Sequence, residues 1–240
     1  MGQTAADMFD YDQIWTSVYG DIQRLGPVHR HMRRLLTKLL NRIEFRSVLE
    51  IGCGPGTNVE LLCRGRQIER FTGADISPWA LEQARQRFGS LGQFVELDIE
   101  RSHLDDVWDL VFCSLVMEHL PQDQAALEHM RAMAGRYLLI STMAGNFERY
   151  RAWDEKMGHV RNYQVGELEE KLRKAGFRVR ESIYWGFPFY TPLVRTLQNH
   201  ASTDTAHFGL GTRLLAQGLY WLYWLNSSRR GDLLIVLAEV

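Results

Sequence analysis

Three glycines alternate directly after the first strongly apolar run of the chain. Gly52, Gly54 and Gly56 follow the segment Val48 to Ile51. Glycine has no Cβ, so it allows positive φ angles and lets a ligand approach the backbone closely. In α/β proteins, a loop of this kind at the carboxyl end of the first strand holds nucleotide-like molecules. The spacing therefore predicts a nucleotide-like ligand on this loop.

The neighbouring residues indicate which ligand the loop suits. A dinucleotide-binding loop would have its third glycine at position 57, where this chain has Thr57. Pro55 lacks the backbone N–H that a pyrophosphate would need. Glu50 adds a negative charge. The loop therefore favours a ligand without phosphate and with positive charge, such as S-adenosylmethionine.

The run from Glu50 to Gly56 resembles the first motif of the class I S-adenosylmethionine-dependent methyltransferases of the small-molecule type. Two further predicted strands end in acids, Asp75 and Asp98, and a fourth covers Asp109 to Ser114. The resemblance implies that Asp75 accepts hydrogen bonds from ribose hydroxyls and Asp98 from the adenine amine, although either can equally cap the next helix. It implies S-adenosylmethionine as cofactor and S-adenosylhomocysteine as product. The expected cofactor-binding residues are Tyr11, Trp15, Glu50, Gly52, Gly54, Gly56, Asn58, Asp75, Ile76, Asp98, Ile99, Ser114 and Leu115.

Strand-like and helix-like segments alternate along the whole chain, which predicts a single α/β domain over residues 1–240 with a doubly wound sheet. Helices are predicted over 58–64, 78–88, 122–134 and 165–175. Strands are predicted over 47–51, 137–142, 177–184 and 232–240. The resemblance implies seven mostly parallel strands in the order 3-2-1-4-5-7-6, with strand 7 antiparallel.

Two regions lie outside this common core. Residues 1–41 are predicted to form a helical lid whose aromatic residues Tyr11, Trp15 and Tyr19 face the donor or the acceptor, unless they pack on the sheet. Residues 186–231 are predicted to form a helical cap with helices over 192–200 and 206–225. The second helix is apolar nearly all round, so the domain, a second subunit, an apolar acceptor or a membrane surface must cover it.

Two histidines are candidate catalytic bases, because methyl transfer to a hydroxyl or an acidic carbon requires removal of a proton. His119 follows the fourth strand, and His159 lies in a segment that resembles the family's acceptor loop. Either histidine can instead be structural. The predicted acceptor-binding residues are Tyr19, His119, His159, Arg161 and Tyr163. No ligand spacing suggests a metal site, so no metal is expected.

Composition is that of an ordinary globular chain. The 240 residues have a net charge of -1 without a basic face, which argues against nucleic acid as a partner. Cys53, Cys63 and Cys113 have no disulfide or zinc spacing, so reduced thiols and a cytoplasmic location are expected. We expect neither a signal peptide nor a spanning helix, and a monomer or homodimer.

The expected function is methyl transfer to an oxygen, nitrogen or carbon atom of a small biosynthetic metabolite. A dehydrogenase is disfavoured by Pro55 and Thr57. An aminopropyl transferase is disfavoured because Cys113, Ser114 and Leu115 stand where acids would hold a polyamine. Two alternatives stay open: a cofactor-binding regulatory scaffold without turnover, and a methyltransferase that acts on a lipid or lipid-linked acceptor at a membrane surface.

Overall fold

Strands form a single central sheet. The computed structural model describes residues 4, 5, 12, 21–198 and 207–240. Among these residues the strands are β1 (Ser47–Ile51), β2 (Arg70–Asp75), β3 (Gln93–Glu96), β4 (Trp108–Ser114), β5 (Ala134–Met143), β6 (Arg178–Trp185) and β7 (Leu233–Glu239). Their order is β3-β2-β1-β4-β5-β7-β6. Strand β7 runs antiparallel to both β5 and β6. The order and the orientation of β7 confirm the expected fold.

Helices cover both faces of the sheet. In the described part of the chain they are α1 (Asp21–Leu25), α2 (Pro27–Leu40), α3 (Val59–Cys63), α4 (Pro78–Phe88), α5 (Asp123–Met133), α6 (Phe147–Lys156), α7 (Glu167–Lys174), α8 (Arg195–Gln198) and α9 (Leu210–Leu222). A 3₁₀ turn covers Met117–His119, a π-type turn covers Phe189–Val194, and a 3₁₀ turn over Tyr223–Leu225 extends α9. No helix of the described residues is long and apolar enough to cross a membrane.

The sequence analysis did not predict helix α6. Its residues are mostly charged, so they show little of the apolar periodicity by which helices are recognised. The helix begins at Asn146, whose side chain accepts a hydrogen bond from the Arg149 N–H at 3.0 Å. Tyr150 and Asp154, one turn apart, are buried. Its buried side is therefore partly polar, which an apolar pattern cannot reveal.

One predicted helix of the insertion differs from the structure, and the predicted aromatic residues of the lid lie outside the part of the chain that the structure describes. In place of a regular helix over 192–200, the chain forms the π-type turn followed by the short helix α8, with non-helical backbone angles at Thr191. The described part of the predicted second helix is α9 with its 3₁₀ extension. Tyr11, Trp15 and Tyr19 lie outside the described residues.

The position of the first and fourth strands determines where loops converge. β1 pairs in parallel with both β2 and β4. The strands that follow β1 in sequence, β2 and β3, therefore extend the sheet on one side of β1. From β4 onward the chain extends the sheet on the other side. A crevice forms outside the carboxyl ends of the strands at such a point. The glycine loop after β1 and the turn after β4 both reach it.

Candidate active site

The glycine loop adopts a conformation that requires glycine. Gly52, Gly54 and Gly56 have φ angles of +68°, +52° and +83°. A Cβ on Gly52 would lie 2.2 Å from Cγ2 of Val116, and one on Gly56 would lie 2.5 Å from Cδ2 of Phe88. The two glycines are thus required for packing as well as for backbone geometry.

Asp75 links the loop to the end of β2. One carboxylate oxygen accepts a hydrogen bond from the Gly54 N–H at 2.7 Å, and the other accepts one from the Ser77 N–H at 2.9 Å. Burial raises the pKa of Asp75, while these backbone hydrogen bonds act in the opposite direction. A carboxylate offers about four lone-pair positions, so Asp75 retains capacity for a further donor.

Asp75 lines a small cavity of about 90 Å³, which we call the acid-lined cavity. Asp98 lines it as well, and its Oδ1 accepts a hydrogen bond from the Glu100 N–H at 3.0 Å. Asp75 is the last residue of β2, and Asp98 lies two residues beyond the end of the adjacent strand β3, which the sequence analysis expected to continue to that acid. Other predicted residues in the lining are Gly52, Ile76, Ile99 and Leu115.

A second cavity, of about 70 Å³, lies between the glycine loop and α2, and we call it the loop cavity. Gly52, Asn58, Ser114 and Leu115 line it together with His29 and Met32 of α2. Gly54 and Gly56 are in the lining of neither cavity.

Glu50 lies fully buried near the loop cavity. Its Oε1 accepts a hydrogen bond from Asn58 Nδ2 at 2.9 Å, and its Oε2 has no partner among the described residues. Burial raises the pKa of Glu50 to about 8, the Asn58 hydrogen bond opposes this shift, and the charge of Asp75 adds to it. An unpaired buried carboxylate oxygen is costly unless a ligand satisfies it. A cationic group is the natural partner.

A third space beside the site is mostly apolar. This apolar cavity has a volume of about 200 Å³ and lies among α2, α6, α9 and the turn after β4. Its walls include Met143, Met157, Leu219 and Tyr223. The polar side chains in its lining are few, and they include Glu118, His119 and His159.

Leu115 lines all three cavities. Its φ angle is +56°, a left-handed conformation that is unusual for a residue with a branched side chain. Its N–H donates to the Ser141 carbonyl oxygen at 2.8 Å. Such strain is concentrated at functional sites. Leu115 therefore marks the point at which the three spaces meet.

His119 lies between the acid-lined and the apolar cavities and lines both. Its Nδ1 is 2.9 Å from the carbonyl oxygen of Gly158. A carbonyl can only accept, so Nδ1 carries the proton of this hydrogen bond. Burial, followed by the proximity of His159, lowers the pKa of His119 to about 3, and the Gly158 hydrogen bond opposes this shift. The imidazole is therefore neutral near physiological pH.

A buried charge network supports His159. Its Nδ1 lies 3.3 Å from Oδ1 of Asp154. Arg195 contacts both oxygens of Asp154, at 3.1 and 2.9 Å, and Asp232 at 2.9 Å. Asn162 Nδ2 donates to Asp154 at 2.7 Å. The contact between His159 Nδ1 and Asp154 lacks the geometry of a hydrogen bond. Burial acts to raise the pKa of Asp154, but the neighbouring His159 and the charge of Arg195 outweigh it and hold the pKa below its usual value.

Glu118 completes a cluster with the two histidines. Its Oε2 accepts a hydrogen bond from Thr142 Oγ1 at 2.8 Å, and its buried Oε1 has no partner among the described residues. One ligand atom from each of Glu118, His119 and His159 lies within 4.8 Å of the others. The set could ligate a cation. Because His159 lies about forty residues after Glu118 and His119, spacing could not reveal the set, and the expected absence of a metal stays a prediction.

Comparison with known proteins identifies the family. A profile described as "Methyltransferase domain" matches residues 28–182, which is more than half of the chain. The chain belongs to this methyltransferase family. Membership confirms the expected enzyme class, an S-adenosylmethionine-dependent methyltransferase of the class I fold, and with it the expected cofactor.

Individual relatives of this methyltransferase are distant. A trans-aconitate 2-methyltransferase from Enterobacter is 34% identical over 100 residues, which cover 40% of this chain and 39% of that protein. The polyketide synthase component of lovastatin nonaketide synthase from Aspergillus terreus is 28% identical over 137 residues, 53% of this chain and 4% of that protein. The chain thus spans less than half the length of either relative.

Solved structures agree on the fold of the methyltransferase. The N-methyltransferase NodS from Bradyrhizobium japonicum, in complex with S-adenosylhomocysteine, superposes with a TM-score of 0.62 at 19% identity. The match covers 95% of this chain and 97% of that one. At this identity the similarity concerns the fold alone.

The predicted acceptor residues Arg161 and Tyr163 are not in the lining of any of the three cavities. Arg161 Nη1 lies 2.7 Å from Asp123 Oδ2, and Arg161 Nη2 donates to the Pro121 carbonyl oxygen at 2.7 Å. The fully buried Tyr163 donates its hydroxyl to Asp123 at 2.8 Å. Both residues connect the segment that carries His159 to the start of α5.

Sequence reasoning missed several residues of the site. Glu118 directly precedes the candidate base His119, and this adjacency was the only signal in the sequence that pointed to Glu118. Asp154 lies on the unpredicted helix α6, and Arg195 comes from the insertion about forty residues later. His29 and Met32 lie on α2, and no sequence motif surrounds either residue. Nothing in the local sequence connects Arg195 with Asp154.

Proposed function

We propose that this methyltransferase transfers the methyl group of S-adenosylmethionine to an oxygen, nitrogen or carbon atom of a bulky, mainly apolar small molecule. One observation carries the proposal: Leu115 and His119 line both the acid-lined cavity and the apolar cavity. A donor in the first space and an acceptor in the second would therefore meet at these residues.

The described residues fit the cofactor. Asp75 would receive the ribose hydroxyls and Asp98 the adenine amine, with Ile76 and Ile99 against the base. Glu50 and Asn58 lie beside the loop cavity, where the unpaired Glu50 oxygen suits a cationic group. When bound, the cofactor would supply a methyl group attached to a sulfonium, for transfer in a single in-line displacement. Tyr11, Trp15 and Tyr19 remain proposed residues of a lid.

The apolar cavity defines the proposed acceptor. Methionine, leucine and tyrosine side chains would contact an apolar body, and Glu118, His119 and His159 would contact a single polar group. Helix α9 supplies one wall, which is why we assign the 186–231 insertion the role of a cap over the acceptor. We assign Arg161 and Tyr163 the role of holding the segment that carries His159.

Positioning supplies most of the proposed rate enhancement. Holding an acceptor atom behind the methyl group is worth roughly 7 to 11 kcal/mol in favourable cases. Leu115 and His119 would set this geometry, because they border both spaces. His119, neutral and hydrogen-bonded to Gly158, would orient the polar group of the acceptor.

His159 is the proposed general base. It would take the proton of an acceptor hydroxyl or acidic carbon, and Asp154 would stabilise the imidazolium that forms. Arg195 and Asn162 hold the carboxylate of Asp154 and so fix the orientation of the imidazole. A base of this kind contributes typically 10²- to 10⁴-fold in rate.

Two measurements test the proposal together. Calorimetric titration of S-adenosylhomocysteine should show binding that Asp75→Ala weakens, whereas NAD should not bind. Incubation with methyl-labelled S-adenosylmethionine and a metabolite extract should label a small molecule in an Asp75-dependent way. Binding of NAD alone would refute the cofactor assignment. Binding of S-adenosylhomocysteine without any transfer would favour a regulatory scaffold instead.

A further inference from the structure

Helix α9 presents apolar side chains on two opposite sides. Ala216 and Leu219 face inward and line the apolar cavity. Four large side chains on the outer side are 64–77% exposed: Leu210, Leu214, Trp221 and Leu225. They recur at spacings of four, seven and four residues, so they lie on one side of the helix. We call this set the outer face of α9. Large apolar side chains exposed together on one side of a helix mark a site of interaction.

The segment that carries the outer face is positively charged. Positions 205–231 contain no Asp or Glu, but they contain Arg213, Arg229 and Arg230. Arg213 lies 3.8 Å from Asp21 of α1. In the described part of the chain, no carboxylate forms an ion pair with Arg229 or Arg230, and both are exposed. Among the described residues the charges of Arg229 and Arg230 therefore remain without an acidic partner, although the whole chain has a net charge of -1.

Helix α2 extends the positive charge beside α9. Residues 27–40 contain no acid. The Arg30 guanidinium lies 3.6 Å from the ring centroid of Tyr220, and that of Arg34 lies 4.3 Å from the ring centroid of Trp224. Basic groups and aromatic rings therefore alternate along one edge of the outer face.

We propose that the outer face of α9 docks on an anionic phospholipid surface. Helices that lie in a membrane interface combine an apolar face with flanking Lys or Arg, and Trp is enriched at that depth. Arg229 and Arg230 would meet the anionic headgroups. A second copy of the chain would bring the same arginines against each other in a two-fold contact, which like charge opposes. Charge complementarity thus favours lipid over self-association.

Docking has a consequence for the acceptor. This consequence rests on the function proposed above. Leu215 is exposed and also lines the apolar cavity. The entrance to the cavity therefore adjoins the outer face. A lipid-soluble or lipid-linked acceptor could enter from the membrane without crossing water.

The test is sedimentation of the full chain with vesicles, which requires neither an acceptor nor turnover. Vesicles of two parts phosphatidylcholine to one part phosphatidylglycerol should bind the protein at least roughly tenfold more strongly than phosphatidylcholine alone, and added salt should reduce the binding. Replacing both Leu214 and Trp221 with serine should weaken binding by roughly tenfold or more. Replacing Arg229 and Arg230 with glutamine should weaken binding to the anionic vesicles only.

The matched control replaces Leu91 and Val107 with serine. These side chains are 55% and 51% exposed and lie away from α9, so vesicle binding should not change. Unchanged titrations with S-adenosylhomocysteine would show that every variant is folded. Equal binding of the Leu214/Trp221 variant and the wild type, or no preference for anionic vesicles, would overturn the proposal. So would a dimer in solution that the Leu214/Trp221 variant converts to a monomer, because the outer face would then be a subunit interface.

Discussion

Glu50 should make the stability of the protein fall as the pH rises toward 8. Burial raises its pKa from 4.5 to about 8, against the opposing hydrogen bond from Asn58. In the unfolded chain the carboxyl group ionises near 4.5. Between these two values unfolding releases a proton, so a rising pH favours the unfolded state. The stabilising effect of the protonated carboxyl is complete below about 4.5 and is lost by about 8.

The magnitude follows from the shift. Each pH unit well inside this range costs about 1.4 kcal/mol of unfolding free energy, and the slope falls off near the folded pKa, so the loss between about pH 6 and about pH 8 is roughly 2 kcal/mol. Glu50→Gln cannot ionise, and its amide oxygen can still accept from Asn58. The variant should therefore be more stable than the wild type near pH 8, by an amount that shrinks as the pH is lowered.

Urea unfolding followed by tryptophan fluorescence measures this difference directly. At each pH, the unfolding free energy of the wild type is subtracted from that of Glu50→Gln. This difference removes the contribution of every group whose titration the substitution does not change. Glu60→Gln, at an exposed position, is the control for the loss of one glutamate carboxyl group by itself. If the Glu50→Gln difference does not vary with pH, the reasoning from burial is wrong.

Three further predictions concern the site. Asp75→Ala should weaken S-adenosylhomocysteine binding by about 1.5 to 3 kcal/mol in calorimetry, because a hydrogen bond to a charged group is lost; unchanged affinity would place the ribose elsewhere. His159→Ala should lower kcat by roughly 10²- to 10⁴-fold with unchanged donor affinity, and full activity at all pH values would exclude a base at this position. Arg195→Met should lower the unfolding free energy by about 3 to 5 kcal/mol, because Asp154 and Asp232 would be left buried without their partner; a denaturation midpoint equal to wild type would contradict this.

Local patterns in the sequence predicted the sheet and brought together three residues that we assign to the donor. Gly52 directly follows β1, Asp75 ends β2 and Asp98 lies two residues after β3, and each strand is recognisable from its own residues. Because parallel strands place their carboxyl ends at one edge, three local signals were enough to predict a shared cavity. The structure brings Gly52, Asp75 and Asp98 to the acid-lined cavity accordingly.

The proposed acceptor side could not be predicted in the same way, because its residues meet only through tertiary packing. His159 was recognisable as a candidate, but its partner Asp154 lies on a helix whose charged sequence conceals its buried side. The positive φ angle of Leu115 is equally invisible, since leucine does not favour that conformation. Surrounding packing imposes it where the cavities meet.

The insertion between β6 and β7 has two roles that depend on each other. Through α9 it forms a wall of the apolar cavity, and through Arg195 it holds the carboxylate of Asp154, which in turn contacts His159. A change that moves the insertion to accommodate a different acceptor would therefore also move the support of the proposed base. Arg195 additionally binds Asp232 at the start of β7 and the Ala144 carbonyl after β5, so the guanidinium joins the insertion to the sheet. The orientation of His159 is thus anchored to the most buried part of the fold, and altered acceptor specificity should arise more readily from substitutions on the inward side of α9 than from displacement of the insertion as a whole.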